Sequence, residues 1–563
     1  MVKKSSFPQI IFLGGLEQIG RNATALRYEQ DLLLIDTGLQ FPEPDMLGVE
    51  KVIPNFKYIY EYAADLRGIV FTHAHEDHIG AAPFLLERLP ETNIYGSRLT
   101  LALLRHKLKK HGVVRKHRFH EIKPKKPFGV GRFRVELVQV AHSVPDNMAV
   151  YIKTPKGNIL HSSDFKIDHT PVDKMPTDLI RLAEIGDEGV DVLLSDSTNA
   201  TEPGMTISET VVGETINQVV GAAPGRVIMA SFASNIHRIQ QMFWAAERWG
   251  RRVAVLGRSM TDTIEIARSL QYLHFQAHTL LRPADIQKTS PSKVMMICTG
   301  SQGEPQAALA RMAQADYQGF QISDGDTVLI SADPIPGNER LVQRTVDACL
   351  RRGAKVVNEL ENVHVSGHGC AEEQKMLIML TRPQYFIPIH GEYRMLTAHR
   401  QTALTLGIPL ERVHIAANGD VLELQKQGLR KVGEISAEPQ LVDGGSLAYF
   451  SDRVFVDRKN MSLNGVLTFS AIVDLERHVF VTEPVILSRG CFYQQELERH
   501  RDEISQQLRR SLEKSKQKDI RELNPLRRQL QDDLYFYISD RLKRKPIILG
   551  VLHAAPGFMK HEG

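Results

Sequence analysis

The sequence predicts an α/β protein: one sheet-rich domain interrupted by a second domain with a parallel sheet, then a small α/β domain. Three observations predict it. Short apolar runs early in the chain end in Asp, His or Gly. From about Thr206 the pattern becomes strand and helix in alternation. Near Tyr385 an apolar run ending in histidine returns, so the early pattern resumes once the alternation stops.

The early strands are read at 10–13, 32–35, 69–71, 133–140, 158–161 and 192–194, from apolar runs punctuated by turn residues. They end at Gly14, Asp36, His73, His142, Asp164 and Asp196 or just before them. A sheet that aligns these ends gathers their side chains at one place. Helices fit at 81–89 and 99–111. The middle section pairs strand 227–230 with helix 234–249, strand 252–256 with helix 262–273, and strand 327–330 with helix 338–352, with a further strand at 294–298. Such alternation predicts a parallel sheet with crossover helices. Strand 385–389 then ends at His390. The boundaries expected are 1–205 and 366–440 for the interrupted domain, 206–365 for the insert, 441–455 for a linker and 456–563 for the last domain. That last domain holds a charged helical stretch at 493–524 and a strand at 545–549. The charge run reads as a solvated helix face, with RNA contact or oligomerisation as the alternative.

A length of 563 residues, 42% hydrophobic and 24% charged, suits several soluble globular domains. No apolar run approaches the roughly 18 residues of a membrane helix. The apolar segment behind Lys3 and Lys4 is too short for a signal peptide, so a cytoplasmic protein is expected. The four cysteines are widely spaced without a Cys-x-x-Cys pair, which fits a reducing compartment and excludes a cysteine zinc finger. A net charge of +4 hints mildly at an anionic partner.

The chemistry concentrates in His73-x-His75-x-Asp77-His78, three imidazoles and a carboxylate at a strand end. With His142, Asp164 and His390 they make seven candidate ligands, enough for two metals if one carboxylate bridges. Imidazole and carboxylate without thiolate suit a catalytic zinc or manganese pair. Such a pair activates water for hydrolysis. Asp36 and Asp196 read as carboxylates that orient ligand histidines, although Asp36-Thr37-Gly38 also makes a tight turn. Ser234 and Asn235 stand at an expected helix N-terminus, where exposed N–H groups attract phosphate; a plain helix cap is the alternative for Ser234. The basic run 105–111 reads as a solvated face, or as the lining of a nucleic-acid channel.

The histidine motif, with Asp36, His142 and Asp164, resembles the metallo-β-lactamase hydrolases, whose fold is an αββα sandwich. Asp196, the segment His364-Val365-Ser366-Gly367-His368, and His390 match motifs A, B and C of the β-CASP nucleic-acid-processing branch. The chain length, linker and C-terminal domain are similar to those of the ribonuclease J family. The resemblance covers essentially the whole chain and is least distinct over its last hundred or so residues.

The resemblance implies one metal on His73, His75 and His142, another on Asp77, His78 and His390, and Asp164 between them. It implies two zinc ions, with manganese or magnesium able to support activity. Asp77, His78, Asp164, Asp196 and His368 would carry catalysis. Ala233, Ser234 and Asn235, with His364, Val365, Ser366, Gly367 and His368, would hold RNA phosphates. Some relatives carry a structural calcium, and Gly48, Glu50 and Asp443 occupy comparable positions. The implied activity is 5′→3′ exonuclease action preferring 5′-monophosphate ends of single-stranded RNA, with endonuclease action, in RNA maturation and mRNA decay. The implied assembly is a homodimer or homotetramer, with an RNA-degradation complex as a further partner and no membrane. Rival readings keep the metal core in a DNA-directed nuclease or a small-molecule hydrolase, or keep only the fold as a scaffold.

Overall fold

The computed structural model describes residues 5–43, 45–317, 320–332, 338–357, 363–449 and 452–555. The chain divides into two compact units, one of residues 1–42 and 50–445, the other of 43–49 and 446–563. Among the described residues no helix is long and apolar enough to cross a membrane.

Two sheets form the base of the first unit. One has eight strands in the order Gly428–Glu434, Asp420–Gln425, Gln9–Gly14, Ala23–Tyr28, Asp31–Ile35, Leu66–Val70, Asn93–Gly96, Arg118–Glu121. The other has six, in the order Tyr385–Ile389, Val192–Asp196, Gly157–His161, Met148–Thr154, Phe133–Gln139, Phe128–Val130. Phe12, Leu33 and Val70 of the first meet Leu137, Val150, Leu194 and Ile387 of the second in one core. The far face of the six-stranded sheet, through Leu160, Leu193 and Phe386, packs on Ile185, Leu377 and Ala403 of three helices. Helix Arg98–Lys110 lies on the eight-stranded sheet. Inner strands covered on both faces must be apolar throughout. Leu32-Leu33-Leu34-Ile35 therefore reads as an unbroken run, every residue buried. The result is the expected αββα sandwich.

The insert is visible in the strand order. Val192–Asp196 pairs in parallel with Tyr385–Ile389, Asp196 opposite Ile389. The chain leaves the sheet on one strand and re-enters on its neighbour. Between them lies an all-parallel sheet in the order Arg252–Leu256, Val294–Cys298, Val227–Ala230, Thr327–Ile330, Lys355–Val357. Met229, Met295 and Ile297 face helices Glu209–Ala222, Ile236–Arg248 and Arg258–Ser269. Ile228, Met296 and Cys298 face helices Ala308–Ala313 and Glu339–Arg351.

Some expectations are corrected. The helix expected from 262 starts at Arg258, because Gly257, at φ 101°, makes the turn that lets it begin early. The helix expected from 234 starts at Ile236 with Asn235 as its cap. The expected linker 441–455 is largely regular structure. Gln440–Asp443 pairs with Lys51–Ile53, Ser446–Tyr449 is a strand, and a helix begins at Arg453. Residues 450–451 of it lie outside the described residues.

In the second unit, strand Val466–Asp474 pairs with Val485–Arg489 and Val479–Phe480 antiparallel and with Ile547–Ala554 in parallel. The charged stretch expected at 493–524 is helix Gln494–Gln517, and after a break near Asp519 at φ 48° a second helix, Leu523–Arg541, begins at its end and runs beyond it. Ile504, Leu508 and Leu512 of the first and Leu526, Leu530, Leu534 and Ile538 of the second pack on Phe469 and Ile486 of the sheet. The four-residue spacing of the second stripe is a helix signal that net charge obscured.

Candidate metal centre

Strand ends of both sheets deliver the predicted ligands to one place. The histidine loop follows Leu66–Val70, His142 follows Phe133–Gln139, Asp164 follows Gly157–His161 and His390 follows Tyr385–Ile389. Asp164 Oδ2 is the hub. It lies 3.1 Å from His78 Nε2, 3.5 Å from His73 Nε2, 3.7 Å from His142 Nε2 and 4.0 Å from His368 Nε2. Ligand atoms of His73, His75, His142 and Asp164 all fall within 4.8 Å of one another, as do those of Asp77, His78, Asp164 and His390. A third such group, Asp164, Asp196, His368 and His390, overlaps the second. The donor set fits a cation. His73 Nε2 is buried without a hydrogen-bond partner, and His142 Nε2 stands 3.0 Å from His75 Nδ1, an approach a shared positive charge would relieve.

Neighbouring groups fix the rings of His78, His142, His368 and His390. Asp36 Oδ2 is 2.8 Å from His78 Nδ1. Asp36 also accepts from the Thr72 N–H and hydroxyl, both at 2.8 Å. The Gly367 carbonyl is 2.7 Å from His142 Nδ1. Asp196 Oδ2 is 2.7 Å from His368 Nδ1, and its Oδ1 is 3.3 Å from His390 Nδ1 and accepts from Thr198 Oγ1 at 2.8 Å. Asp77 Oδ2 stands 3.1 Å from His390 Nε2. Asn22 Nδ2 reaches the Asp77 carbonyl at 3.1 Å and lies 3.1 Å from His78 Nε2. Thr72, Thr198 and Asn22 were not foreseen. Thr72 directly precedes His73, and that adjacency was the available signal.

Burial holds the His73 and His142 imidazoles well below their ordinary range and takes His75 to about 4, so these rings stay neutral with lone pairs available. Burial also opposes charge on His78 and His390. Asp164 with its neighbouring carboxylates outweighs it, lifting His390 to about 10 and His78 well above the usual value. For Asp77 and Asp164 burial favours the neutral acid, but the surrounding imidazoles reverse this and keep both carboxyls ionised.

The other predicted residues separate. His368 stacks on His390 with centroids 5.3 Å apart and joins the centre. His364 does not join it. Its Nδ1 takes a hydrogen bond of 2.8 Å from Arg238, which is tied to Glu209 inside the insert. Val365 is in the insert's core. Ser366 Oγ accepts from the His368 N–H at 3.1 Å. Ala233 packs against the insert's core, beside Ser234 and the cap residue Asn235, whose Oδ1 accepts from the Arg238 N–H. In the basic run, Lys107 pairs with Glu76 and Lys110 with Asp262, so these charges are already engaged. Among the described residues, the three side-chain groups able to hold a metal all include Asp164. Glu50 and Asp443 belong to none of them, and the Arg458 guanidinium stands close beside Gly48.

Comparison with known proteins places this geometry in a family. The metallo-beta-lactamase superfamily matches residues 17–184, and the ribonuclease J beta-CASP domain matches 224–349. The Zn-dependent metallo-hydrolase RNA specificity domain matches 353–416, and the ribonuclease J C-terminal domain matches 453–555. Ribonuclease J 1 of Streptococcus pyogenes is 39% identical, with 96% of each chain covered. Ribonuclease J2 of Bacillus subtilis is 37% identical over 98% of this chain and 99% of its own. Ribonuclease J of Thermus thermophilus is 38% identical over 97% and 95%. A solved protein of unknown function from Enterococcus faecalis V583 shares the fold, with a TM-score of 0.54 at 15% identity over 74% of this chain and 100% of that one. The chain belongs to the ribonuclease J family, within the metallo-β-lactamase superfamily.

Proposed function

We propose that the chain is a two-metal ribonuclease that degrades RNA 5′→3′ from monophosphorylated ends and also cuts internally, in RNA maturation and mRNA decay. One observation carries the reading: the Nε2 atoms of His73, His78, His142 and His368 converge on the single oxygen Asp164 Oδ2. His73, His75 and His142 would hold one metal and Asp77, His78 and His390 the other, with Asp164 shared. Zinc suits this donor set, and manganese or magnesium would serve with less preference for imidazole. When bound, such a pair supplies a nucleophilic water near neutral pH and offsets charge developing on the phosphate.

The chain's own groups supply the rest. Asp36 and Asp196 hold ligand rings in place. His368, gripped at Nδ1 by Asp196, presents Nε2 toward Asp164 and can pass a proton to the departing oxygen. Ser234 and the N–H groups opening helix Ile236–Arg248 offer a site for a terminal phosphate. Backbone recognition of this kind favours single-stranded RNA with little base preference.

Self-association as a dimer or tetramer is supported by one face of the C-terminal sheet. Leu487 and Leu549 flank Thr468, and Val485 and Val551 flank Ser470; all four aliphatic side chains are exposed. Four unpaired cysteines support a reducing cytoplasm.

The test is product analysis on one RNA carrying a 5′-monophosphate or a 5′-triphosphate, beside matched DNA. The expected result is mononucleotides released faster from the monophosphate RNA. Preference for DNA would replace this reading with a DNA-directed nuclease. No cleavage of either by metal-loaded protein would favour a small-molecule hydrolase.

A further inference from the structure

Asn147 is completely buried, lies outside every candidate ligand set, touches two ligand-bearing segments and reaches a third through Ser163. Its Nδ2 donates to the carbonyl of Asp164 and reaches the carbonyl of Val140 at 3.5 Å. Its Oδ1 accepts from Ser163 Oγ at 2.8 Å. Ser163 Oγ in turn lies 3.5 Å from His73 Nδ1. The three segments carry His142, Asp164 and His73.

The segment held in this way is strained. Ser163 has φ 58°, a left-handed conformation that costs a non-glycine residue on the order of 1 kcal/mol. It directly precedes Asp164, so its backbone sets where the shared carboxylate points. The Ser163 N–H is taken by His161 Nδ1 at 3.0 Å, and its hydroxyl by Asn147. Two buried side chains thus compensate one strained residue.

The network also fixes the His73 tautomer. Ser163 Oγ spends its proton on Asn147, and Thr72 Oγ1, 3.0 Å from His73 Nδ1, donates to Asp36. Both hydroxyls can therefore only accept from His73. The ring proton belongs on Nδ1, and Nε2, the atom facing Asp164, is left bare.

We propose that Asn147 is a positioning residue that, through Ser163, sets the geometry of the His73–His75–His142 side of the pair and thereby governs the occupancy of that metal more than of the other, with which it shares only Asp164. This rests on the two-metal reading above. The Asp77–His78–His390 side has its own supports, Asp36, Asn22 and Thr198, none of which runs through Asn147.

Two variants test it. Asn147→Asp keeps the shape but turns the donor facing two carbonyls into an acceptor. Ser163→Ala keeps the volume and removes only the hydroxyl. Zinc per chain is measured after equilibration at fixed free zinc, with kcat and KM on a 5′-monophosphate RNA. Wild type should hold two zinc ions. Each variant should keep one tightly and bind the other about 10- to 100-fold more weakly, with kcat falling in step and KM within about twofold. Should Asn147→Asp fail to fold, Ser163→Ala decides alone. Two zinc ions held as tightly as in wild type would overturn the proposal. So would equal weakening of both, which marks a general packing role. A wild-type content of one zinc would instead overturn the two-metal reading, and this inference with it.

Discussion

Asp36 and His78 stand 2.8 Å apart, Oδ2 to Nδ1, with both side chains almost wholly buried. Asp36 adopts φ 58° at the end of its strand and spends its carboxylate on His78 and on both donors of Thr72. All these donors come from the histidine loop, so one carboxylate both orients a ligand and ties the loop to the neighbouring strand.

An amide at this position can accept but also brings an NH2 that faces donors. Asp36→Asn should therefore weaken metal binding about 10- to 100-fold. It should also lower the melting temperature of the metal-free protein, because a buried network loses its acceptor. Metal titration and thermal unfolding check both. Unchanged zinc affinity would mean that Asp36 serves only the turn.

Asp196 and His368 form the second such pair, but His368 lies outside the two proposed ligand sets. His368→Ala should lower kcat about 100-fold or more, the usual worth of a proton-transferring group, while both metals and RNA affinity remain. Metal content of the purified variant is the discriminating measurement. Loss of one metal would make His368 a ligand and remove its assignment to proton transfer.

The convergence of the candidate ligands was legible because each sits just past an apolar run, and such runs mark strands whose ends a sheet must align. The insert was legible because alternation of strand and helix differs in period from the flanking sheets. Helix starts were less so. The cap proved to be Asn235 where Ser234 was equally suited by residue type, and only backbone geometry chose between them. Strands Met148–Thr154 and Ala23–Tyr28 escaped notice, since polar residues interrupt or flank their apolar stretches. Asn147 and Ser163 were invisible as site residues. A buried amide and a hydroxyl carry no motif, and their importance arises only when three loops meet. His364 shows the converse, a motif residue that the fold turns toward Arg238.

His399 is fully buried against Phe386, with Nδ1 3.0 Å from Ser197 Oγ. Burial lowers its pKa from 6.5 to about 3. Between these values the unfolded chain binds a proton that the folded chain refuses. Stability is therefore lost as pH falls below about 6.5, by about 1 kcal/mol per pH unit for this one group. His399→Gln, which cannot titrate, should lose less stability than wild type between pH 7.5 and 5.5. Urea unfolding at the two pH values measures it. Parallel losses in the two proteins would show that His399 takes no part in the acid response.

Ser234 and Asn235 separate structure from recognition at the start of helix Ile236–Arg248, where a terminal phosphate is proposed to bind. Asn235 Oδ1 caps the helix by accepting from the Arg238 N–H at 3.1 Å, so Asn235→Ala should cost about 1 kcal/mol of stability whatever the substrate. The Ser234 hydroxyl makes no hydrogen bond among the described residues. Ser234→Ala should therefore leave unfolding within about 0.5 kcal/mol of wild type. If the hydroxyl meets a terminal phosphate, the same change should cut the ratio of kcat/KM for 5′-monophosphate over 5′-hydroxyl RNA about tenfold, the worth of one hydrogen bond to a charged group. An unchanged ratio would place the terminal phosphate elsewhere.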